Sequence, residues 1–394
     1  MFGGATADAE PRGIFDERMV RACDFVICTR AALPVAATAA AMTALQPSSP
    51  ADDATTDLAT LQPIAEYAQV DSAAFQDIRA SGQPAVLRGL ADGWPAVAAA
   101  RQGDEELVAY LRRFQTPDSV PHIVGAPEIE GRFFYTDDLR ELNFKRGMSP
   151  LDPFLDWLLR QKQNPRPYAV AVQSQDVPSL LPGFELENRV ELVRPDVVPR
   201  AWLGNRIRVA PHYDLTENVG VVVAGRRRFI LFPPDELRNL YAGPLELTPA
   251  GTPISLVDPL NPDLERYPRF AEALKRAQVA ELAPGDAIYI PFYWWHAVDS
   301  LETVNLFINY WWNDRPKGGG SPYDALAYAI YALKVLPPEQ RAVWRDVFDH
   351  YIFEANGAPA AHLPEHARGI LGEPTPEMLE RLKQYLRMVL QRLQ

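Results

Sequence analysis

The sequence predicts a mainly β fold, an antiparallel sandwich or barrel, with helices on either side of it. Three observations lead to this prediction. Between Tyr168 and Trp312, short apolar segments of strand length alternate with Pro, Gly, Asn and Asp. Apolar residues make up 47% of the 394-residue chain, which is enough for a substantial core. The 37 prolines argue against a coiled coil or a mainly helical solenoid.

Residues 1–60 differ in composition from the rest, and we predict a disordered or weakly helical tail for them. The alanine-rich run Ala31–Leu45 could be the apolar part of a signal peptide, but acidic residues precede it where a short positive segment is expected. A start of the natural chain at Met42 is a further alternative. Cys23 and Cys28 also lie in this tail, and two cysteines are too few for a disulfide framework or a four-ligand zinc site. A cysteine-free remainder fits a cytoplasmic protein.

The ordered part is expected to begin near Leu61 with mixed helix and strand. A strand is predicted at residues 84–88 and another around 134–135, with helices at 107–114 and 151–163, where apolar residues recur at helical spacing. From Tyr168 onward the chain offers strand-like segments separated by turn residues. These segments cover residues 168–173, 205–214, 218–225, 226–234, 278–291 and 304–312.

Residues 319–394 are predicted to form a C-terminal helical region. Ser321 and Pro322 suit the start of a first helix, and Pro338 and Pro376 can begin two more. The last helix carries eight apolar residues at three- and four-residue steps. They are Met378, Leu379, Leu382, Tyr385, Leu386, Val389, Leu390 and Leu393. A face this broad needs a partner surface. Either the helix folds back and covers the protein's own barrel, or it packs against the same helix of a second copy in a homodimer. We expect the homodimer.

The charge balance restricts the classes of partner. Lysine and arginine number 39 against 51 acidic residues, a net charge of −12, which argues against a protein built to coat nucleic acid or an anionic membrane. The sequence contains no run of 18 apolar residues, so we expect no membrane span.

A candidate metal site begins with His212 and Asp214 in strand-like sequence. Residues two apart on a strand point to the same face, so the imidazole and the carboxylate can converge. His296, after a second strand-like segment, is a candidate third ligand, although it could equally be a packed core histidine. Two histidines and one carboxylate are the ligand set of non-heme Fe(II) oxygenases, which leaves coordination positions open. The His-x-Asp pair alone is a weak signal, because with six histidines it arises by chance in about one such chain in three.

A candidate anion-binding residue, Arg227, follows fifteen residues after His212. On a neighbouring strand its guanidinium could hold the distal carboxylate of a co-substrate. By alternation Arg226 and Arg228 point to the opposite face, where solvation is the simpler interpretation.

Three segments together, residues 212–234, 285–300 and 305–312, resemble the cupin-like branch of the JmjC-type 2-oxoglutarate oxygenases. That branch includes the asparaginyl hydroxylase of hypoxia-inducible factor. The likeness extends from Pro63 to Asp314. It implies a double-stranded β-helix, or jelly roll, over residues 61–318, which agrees with the strand pattern, and it implies Fe(II) and 2-oxoglutarate as cofactors.

The resemblance also assigns roles to residues. It implies that the three candidate ligands bind iron and that Asn218 and Asn309 lie near the metal and the co-substrate. Arg227 stands where the family commonly has a lysine for the 2-oxoglutarate carboxylate, and Val209 stands where the hydroxylase has a threonine. A tyrosine that contacts the co-substrate in the family has no secure counterpart in residues 168–173. These departures leave the metal ligands intact and put the pose and identity of the 2-oxoacid in question.

The sequence therefore predicts an Fe(II)- and 2-oxoglutarate-dependent oxygenase, a hydroxylase of a protein side chain or a small molecule. One alternative is a cupin metalloenzyme that does not use 2-oxoglutarate, and Val209 leaves it open. Another is a non-catalytic, metal-stabilised binding protein whose C-terminal helices recruit a partner. The aromatic residues Phe292, Trp294 and Trp295 either exclude water from the site or belong to the core.

Overall fold

The computed structural model describes residues 55–314 and 320–391. Most of the predicted N-terminal tail, with its cysteines, its alanine-rich run and Met42, lies outside the described residues. The chain divides into two compact units, the first ending at Trp312 and the second beginning at Asn313.

Strands dominate the first unit. In chain order they are β1 Gln62–Pro63, β2 Ala65–Ala68, β3 Ala85–Arg88, β4 Ser119–Gly125, β5 Arg132–Phe133, β6 Phe144–Pro150, β7 Ala169–Asp176, β8 Pro199–Gly204, β9 Arg208–His212, β10 Glu217–Ala224, β11 Arg227–Phe232, β12 Gln278–Leu282, β13 Ala287–Ile290, β14 Trp295–Ser300 and β15 Asn305–Trp312. The helices of this unit are α1 Ser72–Ala80, α2 Pro95–Gln102, α3 Asp104–Arg112, α4 Leu151–Gln161, α5 Val177–Leu180, α6 Phe184–Glu187 and α7 Phe270–Arg276.

The strands form two mixed sheets. One has the order β1-β12-β11-β14-β9-β5 and the other the order β2-β3-β13-β10-β15-β8-β7-β4-β6. Most neighbours are antiparallel, as predicted, but three pairs are parallel: β1 with β12, β2 with β3 and β5 with β9. The sequence did not predict these three parallel pairs. Residues 62–68 run from one sheet into the other and add a short parallel strand to each.

Several predicted elements are confirmed with shifted ends. The strand at 84–88 is β3, and the helix at 107–114 is α3, which starts three residues earlier. Its first turn contains Asp104, Glu105 and Glu106, and their negative charges stabilise the helix because its N-terminal end is positive. The strand predicted at 134–135 was wrong: β5 ends at Phe133, and Tyr135 makes only an isolated bridge to Leu142.

The apolar core has two main parts. One lies between the sheets and includes Val222, Phe229, Leu231 and Phe307. The other packs helices of the first half of the chain against the outer face of the nine-stranded sheet. The helices therefore cover one sheet from outside, and the space between the sheets is left for the site.

The second unit is helical, as the sequence predicts. Its helices are α8 Pro322–Leu333, α9 Pro338–Tyr351 and α10 Pro376–Gln391. Each begins at the predicted proline, and the hydroxyl of Ser321 accepts a hydrogen bond from the backbone N–H of Tyr323 as an N-cap. Leu393 lies outside the described residues. None of the helices that the structure describes combines the length and the apolar character that a membrane crossing requires.

A row of charged residues crosses the outer face of the six-stranded sheet. The pairing register places Arg132 beside Arg208, Arg208 beside Asp299, Asp299 beside Arg228, and Arg228 beside Glu281. Asp299 is the most buried acid of the row, and each of the two flanking arginines comes within 3.8 Å of it. Burial raises the pKa of Asp299 to about 6, although both arginines attract the charged form.

Asp299 should make stability fall as the pH rises. The folded protein holds this proton more tightly than the unfolded chain, whose aspartate has the ordinary pKa of 3.8. The stabilisation is therefore complete below about pH 4 and is lost as the pH rises through about 6, a change of up to about 3 kcal/mol. Asp299→Asn has no such proton. Relative to the natural chain, its free energy of unfolding in urea should increase from pH 4 to pH 7.

The exposed Asp196→Asn variant is the control, and its difference from the natural chain should not follow this pH dependence. If the difference between Asp299→Asn and the natural chain were constant from pH 4 to pH 7, or decreased, Asp299 would not have a raised pKa.

Candidate metal centre

The pairing of β9 with β14 brings two candidate ligands together. His212 lies directly opposite His296 in the register, and their ring centroids are 4.2 Å apart. His296 is 4% exposed and His212 is partly buried. The sequence placed His296 on another strand from His212, and the structure agrees.

Asp214 completes the group but does not lie on a strand. β9 ends at His212, and Asp214 belongs to the connection to β10, so the argument from strand alternation was wrong for this pair. Backbone and side-chain contacts hold it instead. The backbone N–H of Tyr293 donates to the carbonyl of Asp214 at 3.1 Å, and the indole N–H of Trp311 donates to its carboxylate at 3.0 Å. The connection is therefore fixed from two sides.

The three side chains form a group that could hold a metal ion. One donor atom from each, in His212, Asp214 and His296, lies within 4.8 Å of the other two. Nε2 of His296 is 3.6 Å from the carboxylate of Asp214. In both histidines Nδ1 faces a backbone carbonyl at 3.0 Å, that of Ala210 or Trp294. A proton on Nδ1 forms a hydrogen bond to that carbonyl. Nε2 then carries no proton, and its lone pair is free to bind a metal ion at the centre.

Electrostatics also favour the neutral, metal-binding form of His212. Burial and the neighbouring His296 lower its pKa to about 4, and the charge of Asp214 offsets this only in part. At neutral pH the imidazole therefore carries no charge and can bind a cation without first losing a proton.

A chain of amide and indole hydrogen bonds supports the carboxylate. Asn218 donates to Asp214 at 3.4 Å, Asn309 donates to the Asn218 side chain at 3.1 Å, and Trp202 donates to Asn309 at 2.7 Å. The indoles of Trp202 and Trp311 contact edge to face, 5.7 Å apart. Asn218 thus lies beside Asp214, and Asn309 lies one hydrogen bond further away; their roles towards the metal and the co-substrate stay predictions. Trp202 and Trp311 were missed, although each stands in an apolar run where an indole N–H needs a buried acceptor.

A one-residue irregularity in β9 decides what else faces the centre. His212 pairs with His296, but Val209 pairs with Val298, so β9 has one more residue than β14 between these pairs. The extra residue, in the stretch with Pro211, lets His212 and Val209 face the same way despite their odd spacing. Val209 accordingly packs in the cluster between the sheets.

Arg227 lies inside the barrel. It is 6% exposed, whereas the side chains of Arg228 and Arg226 are 20% and 54% exposed and pair with Glu281 and Glu302, so the predicted alternation is confirmed. Among the described residues no carboxylate forms an ion pair with Arg227, and its Nε has no hydrogen-bond partner. Burial lowers its pKa to about 9, so the group still carries its charge at pH 7.

The ring of Phe307 supports the buried guanidinium. The Cζ atom of Arg227 lies 4.7 Å from the ring centroid, a distance at which a cation is attracted to an aromatic face. This ring position requires Gly220 on β10, because a Cβ there would overlap the Phe307 ring. The glycine therefore permits the close approach that places an aromatic face under the cation.

The aromatic run before His296 has mixed roles. Trp294 and Trp295 are buried, and Trp295 packs edge to face on Tyr213 at 4.7 Å. Because Trp295 alternates with His296, it faces away from the centre. Phe292 is 49% exposed and does not belong to the core.

A model of the cupin-like domain matches residues 71–318. The chain belongs to the cupin-like family. The predicted cupin-type fold with flanking helices is thereby confirmed.

Relatives of this cupin-like chain carry JmjC-type names. Lysine-specific demethylase JMJ31 of Arabidopsis thaliana is 38% identical over 115 residues, 29% of this chain and 20% of that protein. Lysine-specific demethylase 8 of Danio rerio is 27% identical over 237 residues, 59% of this chain and 53% of that protein. The human bifunctional peptidase and (3S)-lysyl hydroxylase JMJD7 is 28% identical over 272 residues, 61% of this chain and 80% of that protein. The cupin-like chain thus spans about half, or less, of the two demethylases. These similarities support the JmjC-type branch and do not specifically support likeness to the asparaginyl hydroxylase.

Loss of Asp214 should abolish metal binding. Asp214→Ala removes one of three donors together with the charge that neutralises the cation. We expect anaerobic Fe(II) affinity to fall by more than about a hundredfold, because loss of a mere hydrogen-bonding partner of a ligand costs ten- to hundredfold. Trp311→Phe keeps the Asp214 carboxylate and removes one of its hydrogen-bonding partners, so the Fe(II) affinity of this variant should fall about tenfold.

The matched control is Asp92→Ala, which removes a carboxylate paired with Arg101 at the surface and should bind iron normally. Isothermal titration gives the affinities, and circular dichroism checks the fold. Full iron occupancy in Asp214→Ala would exclude this metal site.

Proposed function

We propose that this cupin-like protein is an Fe(II)- and 2-oxoglutarate-dependent oxygenase, a hydroxylase of a protein side chain or a small molecule. The observation that carries the proposal is the combination of His212, Asp214 and His296 with the buried, unpaired Arg227. Either feature alone is compatible with a purely structural role. A metal-binding group built on β9, β14 and the connection after β9, with a buried cation on the neighbouring strand β11, suits a metal-chelating dicarboxylate.

The donor set fits Fe(II). Two neutral imidazole nitrogens and one carboxylate on one side of the ion are the ligands of non-heme iron oxygenases and leave positions open for other ligands. Bound there, Fe(II) supplies the activation of dioxygen, with 2-oxoglutarate as the reductant. The Nδ1 contacts of both histidines fix the ring orientations that such binding requires.

Arg227 fits the distal carboxylate of 2-oxoglutarate. A buried cation without a counter-ion costs several kcal/mol, and an anionic ligand would offset that cost. Arg227 lies four residues along β11 from Leu231, the residue opposite His296. That spacing is about 13 Å of strand, which the long arginine side chain and a chelating dicarboxylate can bridge together.

Each of the chain's own residues has a role in this proposal. Arg227 binds and orients the co-substrate, and Trp311 and Asn218 hold the Asp214 carboxylate in place. Apolar residues between the two ends, such as Val209 and Phe229, exclude water from the path between Arg227 and the metal ligands.

Basic protein segments are the first substrate class to test. The net charge of −12 favours encounter with a cationic partner, and all three relatives described above are named for action on lysine. Mass spectrometry of lysine-rich peptides incubated in air with the iron-loaded protein, 2-oxoglutarate and ascorbate should detect the gain of one oxygen atom.

The reaction class has a direct test. The protein, Fe(II), ascorbate and 2-oxoglutarate are mixed in air, and succinate is measured by nuclear magnetic resonance. Succinate formation that disappears in Asp214→Ala supports the oxygenase. Metal binding without 2-oxoglutarate binding would favour either a cupin metalloenzyme of another type or the non-catalytic, metal-stabilised binding protein. Failure to bind metal would contradict all three interpretations.

The Arg227→Ala substitution should raise the 2-oxoglutarate requirement strongly. A charge-assisted bidentate hydrogen bond in a desolvated pocket contributes about 2–4 kcal/mol to binding. The fold should persist, because the substitution removes an uncompensated buried charge. Arg226→Ala is the matched control, since that side chain is exposed and pairs with Glu302. Equal effects of both substitutions on 2-oxoglutarate affinity would contradict the assignment.

We further propose that the protein is a homodimer formed through α10. Leu386, Tyr385 and Leu390 of this helix are 45%, 56% and 55% exposed, and Leu382 and Val389 are partly exposed on neighbouring turns. A two-fold axis would let this apolar face meet its own copy. Relatives of the hydroxylase type use C-terminal helices in this way, which supports the proposal by resemblance.

Two charges on this face should dissociate the dimer. We expect light scattering to give twice the 44.0 kDa of the chain for the natural protein and one chain mass for Leu386→Glu combined with Val389→Glu. Glu380→Gln with Arg387→Gln, two polar positions of the same helix, is the control and should stay dimeric. A mass of one chain for the natural protein at micromolar concentration would refute the dimer and favour the fold-back alternative.

A further inference from the structure

A second polar side chain without a partner lies next to Arg227. Ser300 is 2% exposed, and its hydroxyl has no hydrogen-bond partner in the part of the chain that the structure describes. It stands at the end of β14, directly opposite Arg227 on β11. A buried hydroxyl without a partner is uncommon, and each such group requires a physical reason.

The backbone pattern shows that these two side chains are close. The N–H of Ser300 donates to the carbonyl of Ile207 on the side of β9, and the N–H of Leu301 donates to the carbonyl of Arg226 on the side of β11. Arg227 and Ser300 are therefore a pair without hydrogen bonds between their own backbones. In such antiparallel pairs the side chains on one face approach most closely, with Cβ atoms about 4.5 Å apart.

The row next to this pair, towards the metal ligands, is apolar. Val209 and Val298 face each other there, so no hydroxyl is available where the asparaginyl hydroxylase has a threonine. The Phe307 ring covers the guanidinium of Arg227. Ser300 is thus the buried hydroxyl that the register places beside the unpaired cation.

We propose that Ser300 is a specificity-determining residue, which donates its hydroxyl to the distal carboxylate of the 2-oxoacid that Arg227 binds. This inference rests on the proposed function and deepens it. A carboxylate accepts several hydrogen bonds, and the arginine fork satisfies them from one side only. The serine hydroxyl adds a donor from the neighbouring strand and selects a dicarboxylic over a monocarboxylic 2-oxoacid.

The test measures binding and not turnover. The protein is loaded with Mn(II) under nitrogen and titrated calorimetrically with 2-oxoglutarate and with 2-oxopentanoate, which has the same chain length and no distal carboxylate. Ser300→Ala should bind 2-oxoglutarate about tenfold more weakly, the effect of losing one hydrogen bond to a charged group. Its affinity for 2-oxopentanoate should not change.

Three further variants separate a contact with the ligand from a structural effect. Ser300→Thr keeps the hydroxyl and should keep most of the affinity for 2-oxoglutarate. Val209→Thr in the Ser300→Ala background returns a hydroxyl one row away and should recover part of the loss. Ser255→Ala removes another buried hydroxyl, one that donates to the carbonyl of Leu240, and should leave both affinities unchanged.

The outcomes for this inference and for the proposed function differ. If the natural protein binds 2-oxoglutarate, Arg227→Gln loses it, and Ser300→Ala binds like the natural protein, the role of Ser300 is refuted while the function stands. Equal weakening of both ligands in Ser300→Ala would also refute it, since that indicates general distortion. If Arg227→Gln binds 2-oxoglutarate normally, or the natural protein does not bind it, the proposed function fails.

Discussion

The register in which β9, β14 and β11 pair is the constraint on which the candidate site depends. It places His212 opposite His296, and four residues further along β11 it places Arg227 opposite Ser300. A slip of one residue would turn every one of these side chains to the outer face of the sheet. The charged row on that outer face resists such a slip, because Asp299 would then enter the apolar space between the sheets. The outer row and the inner site are two consequences of one register.

The cation inside the barrel is the most costly feature of that arrangement. Burying Arg227 without a counter-ion opposes folding by several kcal/mol. The attraction between the guanidinium and the Phe307 ring offsets only about 1–2 kcal/mol of this free-energy cost. The surrounding apolar core must supply the rest. A domain that needed only stability would gain by an apolar residue at this position, and this cost is the reason for proposing that Arg227 binds an anion.

The sequence alone led to the fold class and to the ligands, and the limits of that reasoning have physical causes. His212, His296 and Arg227 could be found because alternation and motif spacing act along the chain. The roles of Trp202, Trp311 and Ser300 depend on which residue lies opposite on a neighbouring strand, and no pattern within one segment shows that. The strand β14, which carries His296, was not predicted as a separate element, because its continuous burial removes the alternation that marks a strand. The strand β8 was also not predicted, although its burial partly alternates.

Asp214 shows a different limit. The interval of two residues from His212 suggested a common strand face, but the structure ends β9 at His212 and places the aspartate in a connection held by Tyr293 and Trp311. The carboxylate of Asp214 therefore does approach His212, but contacts of the connection bring it there and not strand alternation. Contacts that are distant in sequence fix the backbone there, so the interval identified a residue that does converge with the histidines, but for the wrong reason.

The departures from the family pattern are linked by geometry. Arginine in place of lysine brings a longer side chain with a planar fork, which binds a carboxylate from one direction. Valine in place of threonine at position 209 removes a hydroxyl on the metal side of that fork and leaves an apolar row there. A hydroxyl on the far side, at Ser300, lies opposite Arg227, so in the proposed site both donors would approach the same end of the ligand. In the proposed 2-oxoglutarate site, Arg227 and Ser300 would together hold the distal carboxylate, and the apolar row of Val209 and Val298 would separate it from the metal ligands.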